Sequence, residues 1–224
     1  SSLLAAIATK ASIYVLARAV FTIFGGLPDV TDLLLNWVIL PLSVMAMFAG
    51  TILAIYEHDL KKLLAQSSIA QIGYITLAFA IGTTSSISAG FIHMANHAMI
   101  KGGLFMAVGA LMVTIGKRVT MSSIEGLGRA MPWTCSAMLV CGLSLIGLPL
   151  TAGFISKIYL VLATLDAGMN VITGLILLSS ALSVLYLWKI VEVMWMRPYK
   201  GKALAENVLI YGPLWLVAIS NIVF

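Results

Sequence analysis

The chain has 224 residues, 61% of them hydrophobic and 9% charged, with a formal charge of +5. A soluble domain carries about 25% charged residues, so a water-soluble globule is excluded and a polytopic membrane protein is implied. The basic residues are scattered instead of patched, which excludes nucleic acid as a partner and leaves them as topology signals in a lipid bilayer.

A membrane pass needs about 20 apolar residues. The windows predict an all-α transmembrane helical bundle of about seven spans, at 2–24, 33–56, 64–82, 87–115, 134–163, 169–196 and 205–224. The fourth and fifth are long enough to hold a break or a tilt. Lys plus Arg in the six connections runs 0, 2, 0, 3, 0 and 3, over 25–32, 57–63, 83–86, 116–133, 164–168 and 197–204. That alternation follows the positive-inside rule, with the basic loops cytoplasmic and Asp29, Asp32 and Asp166 outside. Spans one and seven then both run from inside to outside. The opening SSLLAAIATK has no basic n-region and reads as the interior of a span, so the sequence is expected to be part of something longer.

In the first span Lys10 sits mid-helix, with Arg18 eight residues later on nearly the same face. Arginine does not deprotonate in proteins, so Arg18 is expected to tune potential or pair with an acid, and Lys10 is the better proton carrier. If the helix starts nearer Lys10, that lysine is interfacial instead. In the fourth span His93, His97 and Lys101 fall at i, i+4 and i+8, with Asn96 beside them. At about 6 Å per step they form a ladder roughly 12 Å long on one face. Each neutral imidazole has one donor and one acceptor nitrogen, which suits proton relay. Two other readings stay open. H-x-x-x-H can bind a metal, although no third Cys or Glu ligand is evident, and histidines can bond neighbouring helices structurally.

The fifth span contains GLPLTAGFISK (147–157), a glycine- and proline-broken stretch followed by Ser156 and Lys157. A break strips backbone groups of helical partners, and hydrocarbon cannot satisfy them. A charge at that depth costs roughly 2.5–3.5 kcal/mol on insertion scales. Broken helices line cavities or ion sites, so Lys157 is expected on an ion path with Ser156 as a supporting polar group. The alternative is a loop-end lysine snorkelling to the interface. Lys189 and Glu192, at i and i+3 near the inner end of span six, read as a surface pair. Cys135 and Cys141 point about 120° apart on one helix, which disfavours a disulfide. No cofactor, metal or nucleotide fingerprint appears, and no catalytic constellation; Gly126–Gly128 lies in a loop without strand context.

Four stretches then carry a resemblance. DLKKLLAQSSIAQIGYI (59–75), HMANHAMIKGGLFMAVG (93–109), GLGRAMPWT (126–134) with GLSLIGLPLTAGFISK (142–157), and TKASIYVLAR (9–18) resemble, in order, the motifs of the antiporter-like membrane subunits. That family is shared by respiratory complex I, Mrp-type cation/proton antiporters and membrane-bound hydrogenases. The lysine at 157 and the SSIAQIGYI phrasing look most like the Mrp subunit-D type. The resemblance implies a fourteen-helix fold built on two inverted five-helix repeats, each with a broken helix. Span 1–24 would close the first repeat, 33–196 would form the second with its break near 147–153, and 205–224 would flank it. It further implies that Lys10 is the mid-membrane lysine, that His93, His97 and Lys101 belong to a central hydrophilic axis, and that Lys157 is the broken-helix lysine of the outlet half. The inlet Glu/Lys pair would lie upstream of residue 1.

The implied function is proton translocation within a hetero-oligomeric complex of the bacterial or archaeal cytoplasmic membrane. The driving redox or counter-ion step would sit in other membrane subunits. Sodium in the whole complex stays open, although no acidic cluster lies within the spans. A non-conducting structural anchor and a membrane partner of an inorganic-carbon uptake machine are the rival readings.

Overall fold

The computed structural model describes residues 7–199, 201, 204 and 206–222. Ten α-helices follow in chain order among them: α1 (Thr9–Arg18), α2 (Pro28–Leu33), α3 (Leu40–Tyr56), α4 (Leu60–Ile81), α5 (Thr84–Ile115), α6 (Leu127–Ala130), α7 (Pro132–Ile146), α8 (Ala152–Asp166), α9 (Asn170–Val191) and α10 (Val208–Ser220). Wider π-type turns extend α1 over Ala19–Ile23, join α2 to α3 over Leu34–Ile39 and extend α9 over Glu192–Met196. No strand occurs among the described residues.

Four helices are each long and apolar enough to cross a bilayer: Pro28–Tyr56, Leu60–Ile81, Thr84–Ile115 and Asn170–Met196. The fold is therefore the expected all-α membrane bundle with a broken helix, and its fourth and last spans differ from the predicted windows. The fourth span does not break; α5 is one helix of 32 residues, about 48 Å long at 1.5 Å per residue. The fifth is two helices of 15 residues, each about 22 Å long and too short alone for a hydrocarbon core of about 30 Å. The last is shorter than expected: α10 has 13 residues, set by Asn207, whose side chain accepts from the Leu209 N–H, and by Asn221 at its end. Residues 2–6 of the first span, and 205, 223 and 224 of the last, lie outside the described residues.

The basic connections fold back on one another at one end of the bundle. Asp59 caps α4 by accepting from the N–H groups of Lys61 (2.9 Å) and Lys62 (3.2 Å), which is what an aspartate before a helix does. Backbone bonds Leu60 N–Val119 O and Met121 N–His58 O tie this turn to the 116–131 connection. Arg197 bonds Glu125 at 2.7 Å. The stretch read as a loop at 116–133 holds a 3₁₀ turn at Met121–Ile124 and the short α6, turned 114° from α7. Lys189 does not pair with Glu192. Its ammonium donates to Ile55 O (3.2 Å) and Glu57 O (3.1 Å), capping the carbonyl end of α3, and contacts His58 Nδ1 at 3.3 Å; Glu192 instead lies 3.7 Å from Arg197. Cations favour helix C-termini, and the i, i+3 pair loses to that arrangement.

At the same end the Glu206 carboxylate accepts from the N–H groups of Trp133 (3.2 Å) and Thr134 (3.3 Å), the first turn of α7. Partial burial raises its pKa against the opposing effect of those two bonds. Glu206→Ala should cost about 1 kcal/mol, the ordinary worth of a helix cap, seen as a lower unfolding temperature in detergent.

The core is apolar packing between α4, α5, α7 and α9, with Ile100, Leu104, Leu111, Cys141 and Leu145 all nearly inaccessible. Close helix approach depends on glycine. A Cβ at Gly73 would lie 2.7 Å from Ser43 O, and one at Gly50 2.5 Å from Ala70 N, so α3 and α4 meet backbone to backbone, as small residues permit in membranes.

Candidate proton-path site

The site is built where α7 stops. Gly147 adopts φ +85, in the left-handed region that glycine enters without strain, and the N–H of Leu148 returns to Leu143 O, the closure of a glycine-ended helix. Four residues after Gly147, Thr151 caps α8, accepting from the Phe154 N–H. The two half-helices meet at Gly153, where a Cβ would fall 1.8 Å from Ser144 O. Ser144 Oγ accepts from the Gly153 N–H at 3.2 Å, and Asn221 O accepts from the Ala152 N–H at 3.0 Å. The break therefore carries its own set of partners for groups that lipid cannot satisfy.

Lys157 is turned back from α8 onto the end of α7. Its ammonium donates to Leu145 O (3.2 Å), Ile146 O (2.9 Å) and Ser180 Oγ (3.0 Å) and stands 5.2 Å above the ring of Tyr74. The lysine is 6% exposed, which disposes of the snorkelling alternative within this chain. The carbonyl end of a helix carries negative partial charge, so a cation belongs there, and a Cβ at position 147 would press on the Lys157 side chain at 2.9 Å.

Next to the break stands His93. Its Nδ1 lies 2.8 Å from Ser156 Oγ and its Nε2 2.9 Å from Gln71 Oε1. Asn96, half-buried, donates to Ala152 O at 2.7 Å. The rings of His93 and His97 lie parallel (8°) with centroids 6.4 Å apart. Neither nitrogen of His97 has a partner among the described residues, although the residue is 1% exposed. The two imidazoles share one face as the spacing predicts, but they stack instead of bonding nitrogen to nitrogen. Lys101 is wholly buried and donates to Leu64 O (2.7 Å) and Ser67 Oγ (2.6 Å). Lys10 is buried on α1.

The structure thus brings Ser156, His93 and Asn96 against the break that Lys157 closes, with His97 and Lys101 buried farther along α5 and Lys10 buried on α1. It leaves Arg18 out. That guanidinium lies on an exposed face of α1 and donates to Tyr14 OH at 3.3 Å. Sequence reasoning missed Gln71, Ser67, Ser180 and Tyr74. Ser67 and Gln71 stand at i and i+4 inside an apolar helix, and that spacing was the available signal.

A family profile described as NADH:quinone oxidoreductase/Mrp antiporter, transmembrane, matches residues 1–183. The chain belongs to this family. Among curated relatives of this antiporter-like family, it is 37% identical over 191 residues to NADH-quinone oxidoreductase subunit N of Desulforudis audaxviator, covering 84% of this chain and 37% of that protein. It is 35% identical over 192 residues to F(420)H(2) dehydrogenase subunit N of Methanosarcina mazei, covering 81% and 38%. Among solved structures, a chain of an archaeal membrane-bound sulfane sulfur reductase superposes with a TM-score of 0.86 at 29% identity, covering 99% of this chain and 45% of that one. A chain of the Mrp complex from Dietzia sp. gives 0.84 at 23% identity, covering 96% and 47%. The likeness to Mrp is thus one of fold. The chain spans under half the length of these antiporter-like relatives.

Proposed function

We propose that this chain is a proton-translocating portion of an antiporter-like subunit, working inside a multi-subunit respiratory or cation/proton antiporter complex. Protons exchange along the buried axis of Lys10, His93, His97, Lys101 and Lys157, with water between groups that do not touch. The axis belongs to the second inverted repeat (33–196), span 1–24 closes the first, and 205–224 flanks the pair. The basic loops face the cytoplasm, and other membrane subunits supply the driving reaction. The names of the relatives support a complex of this type, since they are subunits of NADH-quinone oxidoreductase and F(420)H(2) dehydrogenase.

The observation that carries this reading is the Lys157 ammonium held by three oxygens at a helix break, buried in a membrane span and with no carboxylate paired to it among the described residues. A purely structural cap can be satisfied by neutral donors; an ionisable group at that depth is a functional choice. In vesicles holding the complete parent complex, Lys157→Ala should abolish driven proton uptake while subunit stoichiometry stays normal. Uptake at the wild-type rate, or loss of assembly with uptake per complex preserved, would favour the structural-anchor reading.

A further inference from the structure

The two nitrogens of His93 face partners of different chemical capacity. Nδ1 meets the Ser156 hydroxyl at 2.8 Å, a group that gives up one hydrogen as it accepts another. Nε2 meets the side-chain amide of Gln71 at 2.9 Å. An amide donates and accepts hydrogen bonds, but it neither takes up nor releases a proton near neutral pH. This holds for either orientation of the amide, and the other atom of the Gln71 amide, Nε2, has no partner among the described residues. Gln71 can therefore hold His93 as either neutral tautomer, or as the imidazolium through its oxygen, without ever passing the proton on.

What lies beyond Gln71 gives that property a use. Ser67 stands one turn away on the same face of α4, about 6 Å along the axis, and its hydroxyl receives the Lys101 ammonium at 2.6 Å. A rail thus runs from Ser156 through His93 to Gln71 and resumes at Ser67 and Lys101, parallel to the α5 stripe and bypassing His97. Every member of it is buried: Ser156 and Ser67 at 0%, Gln71 at 1%, His93 at 2% and Lys101 at 0% exposure. Its one link that cannot exchange protons is Gln71.

We propose that Gln71 is a positioning residue that closes the α4 side of His93, so that no proton passes from its Nε2 through Gln71 to Ser67 and Lys101. Exchange with His93 is thereby confined to Ser156 and to the water-linked axis of α5. The inference rests on the proton-path reading above and assigns a role within it.

The test is the passive proton permeability of proteoliposomes carrying the complete complex, with the driving substrate withheld. Gln71→Glu keeps the shape and the acceptor but adds a group that exchanges protons; Gln71→His does the same with an imidazole. Both should raise the resting leak severalfold over wild type, and adding His93→Phe should return it to the wild-type level. A merely structural glutamine predicts no leak in Gln71→Glu. Wild-type permeability in whichever of the two variants assembles overturns the insulation, as does a leak that persists after His93→Phe. Driven uptake that survives Lys157→Ala overturns the path itself, a distinct result.

Discussion

Gly153→Ala should be the most damaging single-methyl change in this chain. The added Cβ would lie 1.8 Å from Ser144 O and 2.8 Å from Ser144 C, well inside van der Waals contact, and both atoms are backbone. Overpacking typically costs about 1–3 kcal/mol when side chains can rotate away; a carbonyl at the end of a helix has no such freedom, so the top of that range or more is expected. Relief requires the two half-helices to separate, which would also pull apart the Gly153 N–H to Ser144 Oγ bond and shift Lys157 from its acceptors. The expected result is loss of the subunit from the assembled complex, or a sharply lowered unfolding temperature in detergent. Gly174→Ala is the matched control. It sits within α9 with nothing inside 4 Å of its Cβ position, and replacing a helical glycine by alanine should be neutral or stabilising by up to about 1 kcal/mol. Equal behaviour of the two variants would mean that the half-helices are not pressed together as described.

Lys101→Met carries the second large effect, with stability and function moving apart. Lys101 has no exposed surface, and its ammonium is held by a carbonyl and a hydroxyl; neither ion pair among the described residues includes it. Replacing buried charged groups with apolar ones of similar volume is often neutral or stabilising, and methionine fills an irregular gap well. The folded complex should therefore be retained, with an unchanged or higher unfolding temperature. Driven proton movement should fall by on the order of a hundredfold, the lower end of what removing a proton-transfer group costs. Wild-type transport in the intact complex would take Lys101 off the path and leave it as an anchor between α5 and α4.

The ionisable residues were legible early because lipid makes them expensive. Lys10, His93, His97, Lys101 and Lys157 all stand in apolar windows, and each is buried in the fold. The break was legible too, since glycine and proline at 147–149 disrupt an otherwise continuous run. Arg18 also stands in an apolar window but is exposed in this chain. Hydropathy registers depth along a span but not which face of the helix a side chain leaves from, and Arg18 leaves from the exposed one. Lys189 misled by local spacing, because its partners on the α3 terminus are more than 130 residues away in sequence. Gln71 and Ser67 stayed hidden because uncharged polar residues cost little in a helix that can turn them inward. Their meaning depends on α5 lying alongside, a tertiary fact.

The capping of α7 by Lys157 has a consequence for how the break behaves as protons move. An ammonium offers three hydrogens, and three oxygens receive them: Leu145 O, Ile146 O and Ser180 Oγ. Ser180 meanwhile gives its own hydrogen to Ile146 O at 3.2 Å. A neutral amine has two hydrogens and a lone pair, so the tally no longer closes. It closes again if the Ser180 hydroxyl swings from the carbonyl to the nitrogen, leaving Ile146 O to one of the two remaining N–H groups. On the proposed proton path, each departure of a proton from Lys157 would be recorded as the turning of one hydroxyl on α9, and the helix end would change its fastening without coming undone.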